Sequence, residues 1–194
     1  MTLPPVIRIF FAIDLPLSTK ERLGQFIGML KKKSKSKAIR WTKPENLHIT
    51  LQFLAEVQTP HLSTLIDKVK VEMTGAMKST RLTFGSLHLF PSPYRPRVIV
   101  LEVTPQGNLA KLAESIGRGI KASHYEIETR PFRGHLTLGR IKLPQDINLG
   151  FLSECKLPTF EDVDIKEIIL FRSEPQPEGS TYTVIERIRL ELKP

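Results

Sequence analysis

Apolar residues recur along this chain with two periods, and each period predicts a different kind of element. Alternation with period two predicts strands, whereas spacings of three and four predict helices with one buried face. Extended segments are expected near residues 7–13, 38–41, 82–89 and 97–103. Three helices are expected between them, with apolar stripes formed by Leu23, Phe26, Ile27 and Leu30, by Leu62, Leu65, Ile66, Val69 and Met73, and by Leu109, Leu112, Ala113, Ile116 and Ile120. Strands interspersed with helices predict an α+β fold with antiparallel sheets.

The starts of these helices are marked by local signals. Ser18 and Glu21 have the spacing of a capping box, which predicts that the first helix starts with Ser18 as its N-cap. Thr59 and Pro60 predict the start of the second helix, because proline is favoured in the first turn. The third helix is expected to run from Asn108.

Residues 90–96 contain three prolines and interrupt the pattern near the middle of the chain. Because proline fixes the backbone and lacks an amide hydrogen, this segment predicts a rigid connection, and we expect it to be the boundary between two lobes. Further along, a short helical segment is expected around residues 146–155, followed by strands at 163–171 and 182–192 joined by the turn-rich residues 175–180. Residues 1–194 are therefore expected to form a single bilobal domain, with an antiparallel sheet and packed helices in each lobe.

One tetrapeptide occurs twice, as His48-Ile49-Thr50-Leu51 and as His135-Leu136-Thr137-Leu138. Chance is a poor explanation, because the composition of the chain predicts far less than one copy. In a strand, the His and Thr of each copy share one face, and the intervening aliphatic residues face the core. Almost half the chain separates the two copies, which predicts an ancient duplication with one motif, at residues 48–51 and 135–138, in each pseudo-symmetric lobe.

Two histidines that face one cleft suit the cleavage of a phosphodiester. Their unperturbed pKa is about 6.5, so one imidazole can accept a proton while the other donates one. The threonine hydroxyls can donate hydrogen bonds to the phosphate oxygens and hold their charge through the transition state. His48 and His135 are therefore the candidate catalytic residues, and Thr50 and Thr137 the candidate phosphate-binding residues.

Two arginines beside the second motif are further candidates for contacting the phosphate. Strand alternation places Arg133 on the face of His135 and Thr137 and places Arg140 on the opposite face. Arg140 would need the strand to twist or to end near Gly139, so Arg133 is the preferred candidate. Three aromatic residues are candidates for stacking on a base: Trp41, which fits a packing role equally well, Phe90 and Tyr94.

Several other classes of site are not supported. Neither motif has a carboxylate or a second histidine at metal-ligand spacing, so no metal and no cofactor are expected. Cys155 is the single cysteine, which excludes an intrachain disulfide and favours a reducing cytoplasm. His61, His88 and His124 lack matching neighbours and are expected to be surface or packing residues. No stretch approaches the roughly 20 apolar residues that cross a bilayer, so no membrane partner is expected, and a monomer is the default.

The net charge of +9 and the isoelectric point near 9.8 favour a polyanionic partner. The densest basic segment, residues 31–37, follows the first predicted helix. Cations are favoured at a helix C-terminus, so a solvated helix end and an RNA-guiding patch both remain open.

The chain resembles the two-histidine phosphoesterases, and within them the LigT-like RNA 2′,3′-cyclic phosphodiesterases of bacteria and archaea, also called 2′-5′ RNA ligases. The resemblance is nearly full length and rests on residues 8–13, 41–54, 130–140 and 170–182, which include both His-x-Thr-x motifs. It implies a bilobal α+β fold whose motifs line an active-site cleft between the lobes. It also implies hydrolysis of a 2′,3′-cyclic phosphate to a 2′-phosphomonoester.

The resemblance further implies that His48 is the proton donor and His135 the proton acceptor. Gly134 departs from the family pattern, because proline is common at that position. The resulting hypothesis is a cytoplasmic, metal-independent phosphodiesterase that acts on RNA or oligonucleotide ends. Three alternatives remain: 2′-5′ ligation by the reverse chemistry, a small cyclic phosphate such as one derived from ADP-ribose as substrate, and a non-catalytic RNA-binding module, against which the intact His and Thr pairs argue.

Overall fold

The computed structural model describes residues 3–75, 79–142, 147–177 and 179–191. In chain order its elements are β1 (Val6–Asp14), α1 (Leu17–Ser34), β2 (Ile39–Trp41), β3 (His48–Gln58), α2 (Leu62–Met73), β4 (Thr80–Phe90), β5 (Val98–Thr104), α3 (Gln106–Ala122), β6 (His135–Ile141), β7 (Val163–Ile165), β8 (Glu167–Gln176) and β9 (Gly179–Arg189). Single 3₁₀ turns lie at Pro44–Asn46, Thr59–His61 and Gly150–Leu152.

The strands form two antiparallel sheets. Sheet A has the order β3-β1-β8-β9, and sheet B has the order β2-β6-β5-β4-β7. The first motif begins β3 in sheet A, and the second motif begins β6 in sheet B. The predicted bilobal α+β fold with two antiparallel sheets is confirmed.

The predicted lobe boundary at residues 90–96 is wrong. Phe90 of β4 pairs with Val98 of β5, so this segment is a hairpin connection within sheet B. Each sheet instead combines strands from both halves of the chain, and the last crossing from sheet B to sheet A is at Lys166, between β7 and β8. The prolines mark a tight connection correctly, but local sequence does not determine which strands pair.

The predicted capping box is also wrong. Helix α1 starts at Leu17 with Pro16 as its N-cap, and no side chain caps it. The carbonyl of Pro16 accepts the amide hydrogen of Lys20 at 3.0 Å, which closes the first helical turn before the expected N-cap. Ser18 therefore lies inside the first turn, where its hydroxyl cannot serve as the N-cap acceptor.

Other boundaries differ by smaller amounts. A 3₁₀ turn at Thr59–His61 precedes α2, and α3 begins at Gln106, two residues earlier than expected. The helical segment expected around residues 146–155 is only the turn at Gly150–Leu152, and residue 146 lies outside the described residues. The strand expected at 163–171 is divided at Lys166, and β9 starts earlier than its expected range, of which residue 192 is not described.

The predicted apolar faces are buried. All members of the three helical stripes belong to the hydrophobic core, as do the aliphatic residues Ile49, Leu51, Leu136 and Leu138 of the two motifs. Helices α2 and α3 pack side by side, and α3 also contacts β3 and β5. Because the aliphatic residues of each motif are held in this core, the His and Thr side chains are directed to the opposite face of each sheet.

Candidate active site

His48 lies at the start of β3, directly opposite Asp14 of β1. Its Nδ1 is 2.7 Å from the carbonyl oxygen of Asn46, and its Nε2 is 3.0 Å from Oγ1 of Thr50. A carbonyl can only accept a hydrogen bond, so the neutral ring carries its hydrogen on Nδ1. Nε2 then accepts from the Thr50 hydroxyl, and its lone pair faces the side of the sheet that the motif threonine occupies.

Aromatic rings enclose His48. Its ring centroid lies 4.7 Å from that of Phe10, 5.2 Å from that of Tyr182 in an edge arrangement, and 6.4 Å from that of Phe171. This burial lowers the pKa of His48 to about 4, and the positive charges of Lys20 and Arg140 act in the same direction. The Asn46 carbonyl and the Asp14 carboxylate oppose the shift.

The C-terminal hairpin supplies one wall of the His48 site. Tyr182 belongs to β9, and the Asn46 side chain donates a hydrogen bond of 2.8 Å to the carbonyl of Ser180 on the same strand. Asn46 thus contacts the His48 ring through its backbone and the hairpin through its side chain. A cavity of about 250 Å³ adjoins this contact and is lined in part by His48, Ser180, Tyr182 and Lys20.

His135 is held in a similar way at the start of β6. Its Nδ1 is 2.8 Å from the carbonyl oxygen of Arg133, which again places the hydrogen of the neutral ring on Nδ1. The ring of Phe90 stacks on it, with a centroid separation of 5.3 Å and an interplanar angle of 21°. Burial lowers the pKa of His135, the Arg133 carbonyl opposes this shift, and the charge of Arg140 adds to it.

Gly134 stands where the resemblance predicts proline, and its backbone makes two hydrogen bonds with the Gln106 side chain. Its amide donates to Oε1 of Gln106 at 3.0 Å, and its carbonyl accepts from Nε2 of the same side chain at 2.7 Å. Proline has no amide hydrogen and could not make the first of these bonds. A Cβ atom at this position would also lie 2.7 Å from Cδ1 of Leu109. The glycine therefore fits tightly against the start of α3.

The structure corrects the predicted orientation of Arg140. Val98 and Val100 of β5 are two residues apart and face the same side, and their partners on β6 are Arg140 and Thr137. These partners are three residues apart, so β6 contains a bulge between them. The bulge reverses the alternation and brings Arg140 onto the face of His135 and Thr137, where its charge lowers the pKa of both motif histidines.

Arg133 contributes its backbone carbonyl to His135, and its side chain is exposed. A contact between this side chain and a phosphate stays a prediction. Strict alternation along the strand favours Arg133 over Arg140 as the phosphate contact. The bulge in β6 breaks this alternation, so that reason for preferring Arg133 no longer holds.

A tether connects the two motif strands. Thr42 follows β2 and donates two hydrogen bonds to β6, from Oγ1 to the carbonyl of Thr137 and from its amide to the carbonyl of Leu138, each of 2.9 Å. The chain then enters β3 at His48, and β3 and β6 contact each other although they belong to different sheets. Together with the charge of Arg140, which affects both imidazoles, these contacts indicate that the two motifs lie near each other.

The aromatic candidates have different surroundings. Trp41 pairs with Gly139 and packs against core residues, so it does not face the cleft. Phe90 stacks on His135, whereas Tyr94 is 94% exposed in the connection between β4 and β5. Sequence reasoning missed Asn46 and the surroundings of His48, since the three rings come from three strands that only the fold brings together.

Of the other candidates, His88 faces the same side of sheet B as Thr137, because both pair with Val100. His61 contacts the Tyr125 hydroxyl, and His88 lies 3.7 Å from Glu102. Lys31, Lys32 and Lys33 occupy the last turn of α1, as expected for a helix end. Within the described ranges, no three His, Cys, Asp or Glu side chains come together as a metal-binding group. In the same residues, no helix combines the length and apolar character needed to cross a membrane.

The two His-x-Thr motifs thus lie on two antiparallel sheets, one motif on each. The sequence pattern of the LigT-like phosphoesterases matches residues 13–100. A protein named RNA 2′,3′-cyclic phosphodiesterase from Archaeoglobus fulgidus is 29% identical over 90% of this chain and 96% of its own length. A protein of the same name from Methanothermobacter thermautotrophicus is 28% identical over 95% of this chain and 99% of its own length.

Solved structures show the same architecture. A crystal structure of a Thermus thermophilus protein superposes with a TM-score of 0.77 at 25% identity and covers 96% of this chain and 100% of its own. E. coli LigT, crystallised with NADP+, superposes with a TM-score of 0.74 at 26% identity and covers 97% and 99%. The chain is therefore similar in sequence and in fold to the LigT-like phosphoesterases, and these similarities identify it as an enzyme.

Proposed function

We propose that this protein hydrolyses 2′,3′-cyclic phosphate ends of RNA or oligonucleotides to 2′-phosphomonoesters, with His48 and His135 as its general acid and general base. The arrangement of the two imidazoles carries the proposal. Each ring is oriented by a backbone carbonyl at Nδ1, and each shares a face of its sheet with a motif threonine. The charge of one arginine, Arg140, lowers the pKa of both rings. The names of the curated relatives and a crystal structure of E. coli LigT with 3′-AMP support a nucleotide phosphate as the ligand.

In the proposed reaction, neutral His135 removes a proton from water through Nε2, and the water oxygen attacks phosphorus. The bond between phosphorus and the 3′ oxygen breaks, and His48 in its protonated form gives its proton to that oxygen. The hydroxyls of Thr50 and Thr137 and the guanidinium of Arg140 stabilise the charge on the non-bridging oxygens. The division of roles between the two histidines comes from the family resemblance.

The lowered pKa values fit this sequence of events. In the free protein both imidazoles favour the neutral form, because burial and Arg140 disfavour the charged ring. A phosphodiester anion bound between them favours the imidazolium form, since opposite charges attract. Substrate binding therefore promotes protonation of His48, and a donor whose intrinsic pKa is low releases its proton readily.

The test compares adenosine 2′,3′-cyclic and 3′,5′-cyclic phosphates as substrates in the presence of excess EDTA. Chromatography against 2′-AMP and 3′-AMP standards is expected to show 2′-AMP from the first substrate and no turnover of the second. A preparation carrying both His48→Ala and His135→Ala controls for contaminating nucleases. A 3′-phosphate product would contradict the proposed geometry, and activity that EDTA abolishes and a divalent cation restores would contradict metal independence. Location in the cytoplasm and the monomeric state stay predictions.

A further inference from the structure

Arg40 and Arg140 form an unusual pair beside the active site. They lie directly opposite each other on β2 and β6, so their side chains share one face of sheet B. That face also carries Thr137 and His135, because of the bulge described above. Both arginines are exposed. The pair therefore extends the cationic surface from the motif toward the edge of the sheet, where β2 is the outermost strand.

The two neighbouring arginines lower the stability of the ligand-free protein. Like charges directly opposite each other on neighbouring strands are destabilising. Within the described residues, neither guanidinium forms an ion pair or a side-chain hydrogen bond that would offset the repulsion. On the same face of sheet B, Glu102 is placed opposite His135, and its carboxylate lies near His88 instead. An anionic ligand would supply the missing compensation.

We propose that Arg40 and Arg140 form a second anion site, which binds the phosphate on the 5′ side of the nucleoside that carries the cyclic phosphate. This inference rests on the proposed function. The planar guanidinium matches phosphate geometry and donates two parallel hydrogen bonds to it. Arg140 would contact both the reacting phosphate and the second phosphate. Arg40 lies one strand spacing of about 4.8 Å further out and would contact the second phosphate alone.

The proposal predicts a substrate preference. A cyclic mononucleoside phosphate lacks the second phosphate, whereas an RNA end has one in its last internucleotide linkage, and a 5′-phosphorylated nucleoside cyclic phosphate has one as a terminal group. The three substrates to compare are adenosine 2′,3′-cyclic phosphate, its 5′-phosphorylated form, and the dinucleotide ApA with a 2′,3′-cyclic end. The last two distinguish an internucleotide phosphate from a terminal one.

The variant is Arg40→Gln, which removes the charge and keeps most of the side-chain length. We expect the ratio of kcat/KM for ApA to that for the simple cyclic nucleotide to fall by about 10- to 100-fold, as for a lost charge-assisted hydrogen bond. The salt dependence of kcat/KM for ApA should become shallower by about 0.7 in logarithmic slope, which corresponds to one phosphate contact on a single strand. Lys68→Gln, at an exposed position of α2, is the charge-matched control and should leave both quantities unchanged.

A second measurement separates this role from a structural one. Because Arg40→Gln removes a like-charge contact, the Tm of the ligand-free variant should equal or exceed that of the wild type. An unchanged substrate ratio, an equal loss on both substrates, or a lowered Tm with reduced activity on both would overturn the second site. If the wild-type protein hydrolyses none of the three substrates, the proposed function itself fails, and this result is distinct from a failure of Arg40 alone.

Discussion

Replacing Arg140 by Gln tests the geometry of the site through the pH dependence of catalysis. The Arg140 charge lowers the pKa of both His48 and His135, because a nearby cation disfavours the protonated ring. Removing this cation raises both pKa values. The plot of kcat/KM against pH reports the ionisations of the free enzyme and should be bell-shaped, since one imidazole must be charged while its partner is neutral. Both limbs should therefore move to higher pH in Arg140→Gln.

In the wild-type protein, the acidic limb is expected near pH 4, where His48 titrates, and the alkaline limb below the ordinary histidine pKa of about 6.5. At the optimum, Arg140→Gln should lower kcat/KM by about 10- to 100-fold, because a hydrogen bond to a charged group contributes about 1.5–3 kcal/mol. The assay uses adenosine 2′,3′-cyclic phosphate between pH 3.5 and 9 at constant ionic strength.

Arg133→Gln provides the matched control for this experiment. It removes an arginine side chain beside the same histidine and keeps the backbone carbonyl that orients His135. Its two limbs are expected to stay in place. Limbs that do not move in Arg140→Gln, or that move to lower pH, would refute the position of Arg140 near both imidazoles.

Three further predictions concern the motifs and the packing beneath them. His48→Ala or His135→Ala should each lower kcat by about 10² to 10⁴. The loss in the double variant should be much smaller than the product of the two single losses, because the pair acts as a unit. Near-normal turnover by either single variant would contradict the acid–base roles. Alanine at either motif threonine should cost roughly 10- to 10³-fold in kcat, and serine less, since serine keeps the hydroxyl; equal losses would favour a packing role. Gly119→Ala should lower the free energy of unfolding, measured in urea, by about 1–3 kcal/mol, because its Cβ would lie 2.5 Å from Cα of Val69. Gly28→Ala is the control and should not lower this free energy, because no atom lies within 4 Å of its Cβ position.

Much of the secondary structure could be predicted because it depends on local patterns. The helical stripes and the aliphatic residues of both motifs are buried as expected, since a periodic apolar face must find a partner whatever the topology. The His-x-Thr spacing likewise fixes which side chains share a face over three residues. These inferences require no knowledge of which strands are neighbours.

The errors come from features that depend on strand pairing. A bulge in β6 reverses the orientation expected for Arg140, and a bulge cannot be read from alternation alone. The prolines of residues 90–96 mark a hairpin instead of a lobe boundary, because β4 and β5 belong to the same sheet. Asn46 was missed as a contact of the hairpin, since its partner Ser180 lies more than one hundred residues away.

The two histidine sites are alike in backbone geometry and unlike in surroundings. Both rings bond through Nδ1 to the carbonyl of the residue two positions earlier, although that residue is Asn46 in one motif and Arg133 in the other. The equivalence therefore resides in the backbone and requires no identical side chain. Three aromatic rings enclose His48, whereas the ring of Phe90 stacks on His135. Because burial lowers the pKa of both rings, the phosphate anion of a bound substrate is needed to favour the charged form of the ring that donates the proton.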